Sequence, residues 1–353
     1  AVGSQTEIVF DGGSYAFDKN ANLCGSLPMF SSALATYTCN DDGTIQQPIL
    51  EAASRVPNKE LNPATLVANL NVDQIYQALV LGIRDYFTKM GFTKAILGSS
   101  GGIDSAVTLA VATDALGAQN VLAVLMPSEF STEHSVEDAV LLSKNLENPY
   151  HIVPIKNVYH TFLETLDPIF NGMPFSLAEE NIQSRSRGNI LMAIANKLGY
   201  VLLNTSNKSE LATGYGTLYG DMAGGLGVLG DLYKIQVYEL AKYINREKEI
   251  IPTHIITKAP SAELRPDQKD SDSLPDYEVL DQLLYQYIEK RIDPAAIKAL
   301  GFDAAFVNTG PLRWIAQNSH KPGRTGQHCW LLHASADWSE SHLEDSADRK
   351  SVV

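Results

Sequence analysis

The sequence predicts an α/β protein: a doubly wound parallel sheet with helices on both faces, preceded by a small piece of β structure. Three observations carry this. Between about residue 70 and residue 300, short apolar runs alternate with longer stretches of helical spacing. A Gly- and Ser-rich turn leaves the first of those runs and opens a helix. Before them, residues 1 to about 55 show only brief alternating runs broken by turns.

The elements follow in order. Glu7-Ile8-Val9-Phe10 reads as a strand, closed by the turn Asp11-Gly12-Gly13-Ser14. Tyr15–Asp18 repeats the pattern before a turn at Lys19-Asn20, and the polar stretch through Pro57-Asn58-Lys59 reads as a linker. Asn71–Met90 has helical spacing at Ile75, Leu79, Leu81 and Ile83. Lys94–Leu97 is an apolar strand, Asp104–Leu116 a helix and Val121–Met126 a second strand. His134–Leu146 reads as helix and His151–Ile155 as strand. A long helical stretch then leads to a strand at Tyr200–Leu203. Strands separated by helices need crossover connections, so they pair in parallel and bind ligands at their carboxyl ends. Residues 261–276 are polar and Pro-containing, the composition of a mobile loop or lid, before a helix over Tyr277–Lys290.

Composition narrows the function classes. The 353 residues carry 27 Lys and Arg against 41 Asp and Glu, a net charge of -14. Such a field repels a phosphate backbone, which argues against a general nucleic-acid binder. No apolar run approaches the roughly 18 residues of a spanning helix, so no membrane role is expected. Cys24, Cys39 and Cys329 are too few for a disulfide framework and lack metal spacing; a reducing, cytoplasmic setting is expected.

The chemistry concentrates at Gly98-Ser99-Ser100-Gly101-Gly102-Ile103-Asp104-Ser105. Glycines let backbone approach phosphate oxygens, successive N–H groups form an anion nest, and the helix start adds partial positive charge. Asp104 repels phosphate unless a cation lies between them, which implies Mg2+. The loop lacks the Lys of the Walker pattern and the spacing of a dinucleotide loop. A plain Gly/Ser turn capping a helix is the competing reading.

Ser-Gly-Gly-Ile-Asp-Ser after a strand resembles the ATP pyrophosphatases, which release AMP and pyrophosphate. Further blocks resemble one branch, the glutamine-dependent NAD+ synthetases. They are Asn181-Ile182-Gln183-Ser184-Arg185-Ser186-Arg187-Gly188, then Leu203–Tyr215 with Asn207-Lys208-Ser209-Glu210, then Thr217–Asp221 and Ala259–Pro266. The resemblance covers about residues 65 to 318. It implies an adenine nucleotide alpha hydrolase-like fold over 56–318. Residues 1–55, with Val2–Glu7 and Phe10–Ser14, look like the last strands of a nitrilase-like glutaminase domain and its linker. Another adenylating amidotransferase, such as a GMP synthetase, or an inactive nucleotide-binding fragment are the alternatives.

The resemblance also implies site roles. Gly98, Ser99, Ser100, Gly101, Gly102, Ile103, Asp104 and Ser105 would hold ATP, with Thr205, Lys234 and Ser261. Asp104 and Glu210 match Mg2+ carboxylates, and Asp104 with Lys234 would act in catalysis. Asn181, Arg185, Glu210, Asp221 and Lys321 fall in the region holding nicotinic acid adenine dinucleotide. Each has an ordinary structural alternative: a helix cap for Thr205, a favourable first-turn acid for Glu210, a surface lysine for Lys234, a turn cap for Asp221, a solvated basic face for Arg185 and Arg187. Ser128, Ser131 and Ser135 read as capping residues. The expected co-substrates are ATP and ammonia or glutamine, and the expected assembly a homodimer or higher homo-oligomer.

The resemblance stops beyond Asn318-Ser319-His320-Lys321, after a helix expected near Trp314. The last six residues, 348–353, are what the adapter string GATCGGAAGAGCGTCGTG encodes. Residues 319–353 are therefore expected to be an aberrant, disordered tail, and the chain a fragment truncated at both ends.

Overall fold

The computed structural model describes residues 1–5, 8–46, 69–266, 268–293, 296–297, 304–306, 312–317 and 330–334. The linker at 57–59, Lys321 and most of the tail lie outside them.

Five parallel strands form the central sheet: β7 (Ala95–Gly98), β8 (Val121–Leu125), β9 (Tyr150–Ile152), β10 (Val201–Asn204) and β11 (Leu226–Gly227). Their order is β11-β10-β7-β8-β9. The chain moves outward from β7 to β9, then returns to the other side of β7 for β10. That reversal opens a crevice at the carboxyl ends of β7 and β10, where ligands of such sheets bind.

Both faces of the sheet are covered because successive strand residues point to opposite sides. Ala95, Leu97, Val121, Ala123, Leu125, Val201 and Leu203 join one apolar core. It is shared with helices α1 (Asn69–Met90), α2 (Ile103–Leu116), α7 (Lys234–Ile244) and α8 (Thr253–Thr257). Ile96, Leu122, Val124 and Leu202 face the other layer, where Leu191 and Ala195 of α5 (Leu177–Leu198) meet them. Every residue of β8 is buried, the pattern of a strand covered on both faces. Helix α2 packs on α1 and α7 and buries Ser105–Ala112 without a break, so it shows no amphipathic stripe.

The remaining helices are α3 (Glu133–Asn145), α4 (Lys156–Phe170), α6 (Lys208–Thr213) and α9 (Tyr277–Leu284). Beyond α9 the helix widens into a π turn, Tyr285–Glu289. Leu280, Leu283, Leu284 and Tyr285 pack with Tyr233 in a satellite core. Helix α5 starts at a capping box, Ser176 with Glu179, and stops at Gly199 in the left-handed conformation.

The N-terminal residues form three small antiparallel pairs: β1 (Val2–Gln5) with β2 (Ile8–Asp11), β3 (Tyr15–Phe17) with β4 (Leu23–Ser26), and β5 (Thr38–Cys39) with β6 (Ile45–Gln46). The first rests on α1, where Asp85 accepts from the Ser4 amide at 2.7 Å.

Near the C-terminus the structure departs from expectation. Trp314 lies on a strand rather than near a helix. β12 (Ala304–Phe306), β13 (Leu312–Gln317) and β14 (Trp330–Ala334) form an antiparallel sheet, so part of the predicted tail is paired. Trp, Ile and Leu suit extended backbone, and a partner strand supplies the hydrogen bonds.

Candidate active site

The phosphate-type loop leaves β7 where the sheet reverses. Ser99 donates its amide to Val124 O at 2.9 Å, anchoring the loop to β8. Ser100 and Ser105 are tied by their hydroxyls at 3.2 Å, and Ser100 Oγ accepts from the Gly102 amide at 3.1 Å. Gly101 sits at φ +76°, and a Cβ there would lie 2.3 Å from Ser135 O. Only glycine fits both constraints.

The N-cap of α2 is Gly102, and no side chain caps it. Its first N–H groups therefore remain available to an anion. Ser99 Oγ is buried and has no hydrogen-bond partner among the described residues. A buried hydroxyl left unpaired costs about 1–3 kcal/mol, which fits a site that a ligand completes. Ile103 contributes backbone only, since its side chain joins the core.

Asp104 is turned to another purpose. Lys234, the first residue of α7 and only 2% exposed, places Nζ 2.5 Å from Asp104 Oδ2 and 3.2 Å from Glu210 Oε1. Asn207 donates to Asp104 Oδ1 at 2.8 Å. Four residues spread over 130 positions thus meet at the loop. Burial works against the Lys234 ammonium, but Asp104 and then Glu210 outweigh it and hold its pKa well above the ordinary value. Burial, with the Asp104 charge behind it, pushes Glu210 up to about 8 even though Lys234 pulls the other way. Glu210 is thus poised to hold a proton, and a further cation at the cluster would favour its charged form.

Local sequence explains how the cluster is built. Asn207 is the N-cap of α6 and forms a capping box with Glu210. Asn207 Oδ1 accepts from the Glu210 amide at 3.0 Å, and Glu210 Oε2 accepts from the Asn207 amide at 3.2 Å. Thr205 is therefore not the cap; it lies in the turn between β10 and α6. Ser209 accepts from the Lys234 amide at 2.9 Å and donates to the buried Asp281 carboxylate at 2.5 Å. Asp281 also accepts from the Ile235 amide at 2.8 Å, so α9 fixes the start of α7. Sequence reading placed Asn207 and Ser209 in a family-like block without giving either a role, and missed Asp281. The Asn-x-x-Glu spacing of the capping box was the available signal for Asn207.

The second half of the site lies along α5. Asn181 Oδ1 accepts from Thr217 Oγ1 at 2.8 Å. Asp221 accepts from the Thr217 amide at 2.6 Å and donates its own amide to Ser184 Oγ at 3.0 Å. Asn204, at the end of β10, donates to Asp221 O at 2.9 Å. Gly188 and Gly220 let this loop press against α5, since a Cβ on Gly188 would sit 2.7 Å from Tyr219 O. Arg185 and Arg187 divide. Arg185 is exposed and donates to Leu218 O at 3.3 Å. Arg187 points back to the sheet and donates to Met126 O at 3.1 Å. Burial lowers its guanidinium to about 10, still charged at neutral pH.

Ser261 is exposed, and its hydroxyl accepts from the Glu263 amide at 3.1 Å. The segment carrying it packs down on α5, where Gln183 donates to Leu264 O at 2.8 Å. The sequence reads Ser128, Ser131 and Ser135 as helix caps, but Ser128 and Ser131 brace the turn before α3: Ser131 Oγ accepts from the Ser128 amide at 3.1 Å and Ser128 Oγ from the Phe130 amide at 3.2 Å. Thr132 is the N-cap of α3, and Ser135 is engaged elsewhere. Among the described residues, no three His, Cys, Asp or Glu side chains converge on one metal position.

A family model described as NAD synthase matches residues 75–324. The glutamine-dependent NAD(+) synthetase of Synechocystis sp. is 47% identical over 306 residues, spanning 87% of this chain and 52% of the relative. That of Thermotoga maritima is 43% identical over 322 residues, spanning 86% and 56%. The chain thus spans about half the length of the curated relatives it matches. Among solved structures, the glutamine-dependent NAD+ synthetase from Acinetobacter baumannii in complex with ADP has a TM-score of 0.66 and 41% identity, over 86% of this chain and 52% of that one. NMN synthetase from Francisella tularensis has a TM-score of 0.56 and 27% identity, over 69% of this chain and 93% of that one. The chain belongs to the NAD synthase family.

Proposed function

We propose that this chain holds the ligase site that converts nicotinic acid adenine dinucleotide to NAD+, spending ATP and releasing AMP and pyrophosphate. The observation that carries this is Lys234, buried between Asp104 and Glu210 beside a glycine loop whose helix start is uncapped. The names of the relatives supply the product, NAD+, and the resemblance of the sequence motifs implies the acceptor.

In the first step a nicotinate oxygen attacks the α-phosphorus and the bond to the bridging oxygen breaks. Pyrophosphate leaves and an acyl-adenylate remains. In the second, ammonia attacks the acyl carbon, loses a proton, and AMP departs. A carboxylate oxygen cannot leave by itself, and adenylation makes it a leaving group. The backbone of Gly98–Ser105 and the Lys234 ammonium offset the charge that grows on departing pyrophosphate; one such group typically contributes about 10²–10³ in rate. Asn181, Asp221 and Arg187 line the side where the nicotinoyl half would lie, with Arg187 rather than Arg185 as the buried cation.

Asp104 and Glu210 suit Mg2+, which takes one or two carboxylates and completes its shell with water and phosphate oxygens. Bound there, it would supply further charge neutralisation at the phosphates. The nitrogen donor we assign to this site is ammonia, with glutamine as its source in longer relatives. No described helix is long and apolar enough to cross a membrane. A homo-oligomer and a cytoplasmic setting complete the proposal.

The test is NAD+ and AMP formation from the dinucleotide, ATP and MgCl2, with ammonium or glutamine as nitrogen source. Nicotinic acid mononucleotide and xanthosine monophosphate serve as competing acceptors. Activity with ammonium supports the reading. ATP binding without AMP formation from any acceptor would sink the ligase step.

A further inference from the structure

Glu263 lies between α8 and α9 with φ at +50°. The left-handed region is uncommon for a glutamate and persists only when surroundings hold it there. What holds it is a set of anion-seeking groups. Glu263 Oε1 accepts from Ser135 Oγ at 2.5 Å, and Oε2 accepts from the Thr132 amide at 3.4 Å. Lys258 Nζ lies 3.9 Å from Oε1 and donates to Ser135 Oγ at 2.9 Å. The Glu263 charge is also the strongest one supporting the buried Arg187 guanidinium. A helix-start amide, a hydroxyl and an ammonium therefore gather on one carboxylate, with a guanidinium nearby. They stand against the phosphate loop, because Ser135 O is the atom that a Cβ on Gly101 would strike.

Resting on the ATP-ligase reading above, we propose that Thr132, Ser135 and Lys258 form a second oxyanion seat beside the loop. Glu263 fills it in this structure, and a terminal phosphoryl group takes it during turnover. Glu263 acts as a stand-in anion: its carboxylate satisfies the seat while the phosphate is absent. The strained backbone favours its release when a more highly charged group arrives.

The sign of one substitution separates this from a purely structural latch. Glu263→Gln keeps the shape but removes the competing charge. Calorimetric titration with inorganic pyrophosphate is expected to show binding about tenfold tighter than in the parent. Lys258→Met is expected to weaken it by a similar factor, and AMP binding should stay unchanged in both variants. If ATP shows the same gain, the seat serves the bound nucleotide; a gain with pyrophosphate alone assigns it to the product. Unchanged or weaker pyrophosphate binding in Glu263→Gln, with ATP binding intact in the parent, overturns the seat and leaves the ligase reading standing. A parent that binds neither ATP nor pyrophosphate overturns both.

Discussion

Replacing Lys234 by Met removes the one cation between two carboxylates. Asp104 and Glu210 then face each other in a site where the lysine is 2% exposed. Breaking a buried pair from one side costs roughly 3–5 kcal/mol, because a charge is left uncompensated. The lower end applies here, since Glu210 is already pushed up to about 8 and can take a proton. For a domain of this size a loss of about 3 kcal/mol lowers Tm by on the order of 10 °C. The assay is differential scanning calorimetry in EDTA and again in excess MgCl2. In EDTA the variant should melt well below the parent. In MgCl2 it should recover part of the gap, because a cation that binds only the folded state stabilises it by mass action. A variant within about 2 °C of the parent in EDTA would refute the charge argument. Equal melting in both media would refute Asp104 and Glu210 as a divalent-cation pair.

Gly101→Ala places a Cβ against Ser135 O in a left-handed backbone; the expected cost is about 1–3 kcal/mol of stability together with weaker ATP binding by titration. Arg187→Met should raise KM for the dinucleotide by about tenfold or more, whereas Arg185→Met should leave it near the parent value; the reverse order would restore Arg185 as the substrate-facing cation. Asp281 is pushed up to about 6 by burial. Its folded pKa thus exceeds the unfolded value, so its contribution is fully present below pH 3.8 and is lost as pH rises through about 6. Urea unfolding at pH 4 and pH 8 should show Asp281→Asn gaining on the parent by up to about 3 kcal/mol over that window; a constant difference would mean the carboxylate does not titrate there.

Much of the sheet was legible because its signal is local. Apolar runs such as Val121–Leu125 form strands buried on both faces, and the Gly/Ser turn after β7 marks where a helix begins. Boundaries moved by a residue or two where caps decide them, as at Thr132 and Gly102. The strand at Trp314 escaped because its partner, Trp330–Ala334, lies in a stretch with no pattern of its own.

The sequence by itself determined that there is a phosphate-type loop, which residue types surround it, and which family's motifs they resemble, since each is written within a short window. Only the tertiary structure decided which charges meet. It set Lys234 between Asp104 and Glu210, turned Arg187 inward and Arg185 outward, and laid Glu263 on Ser135. Coulomb energy and desolvation depend on separation and burial in space, and neither is encoded at any one position along the chain.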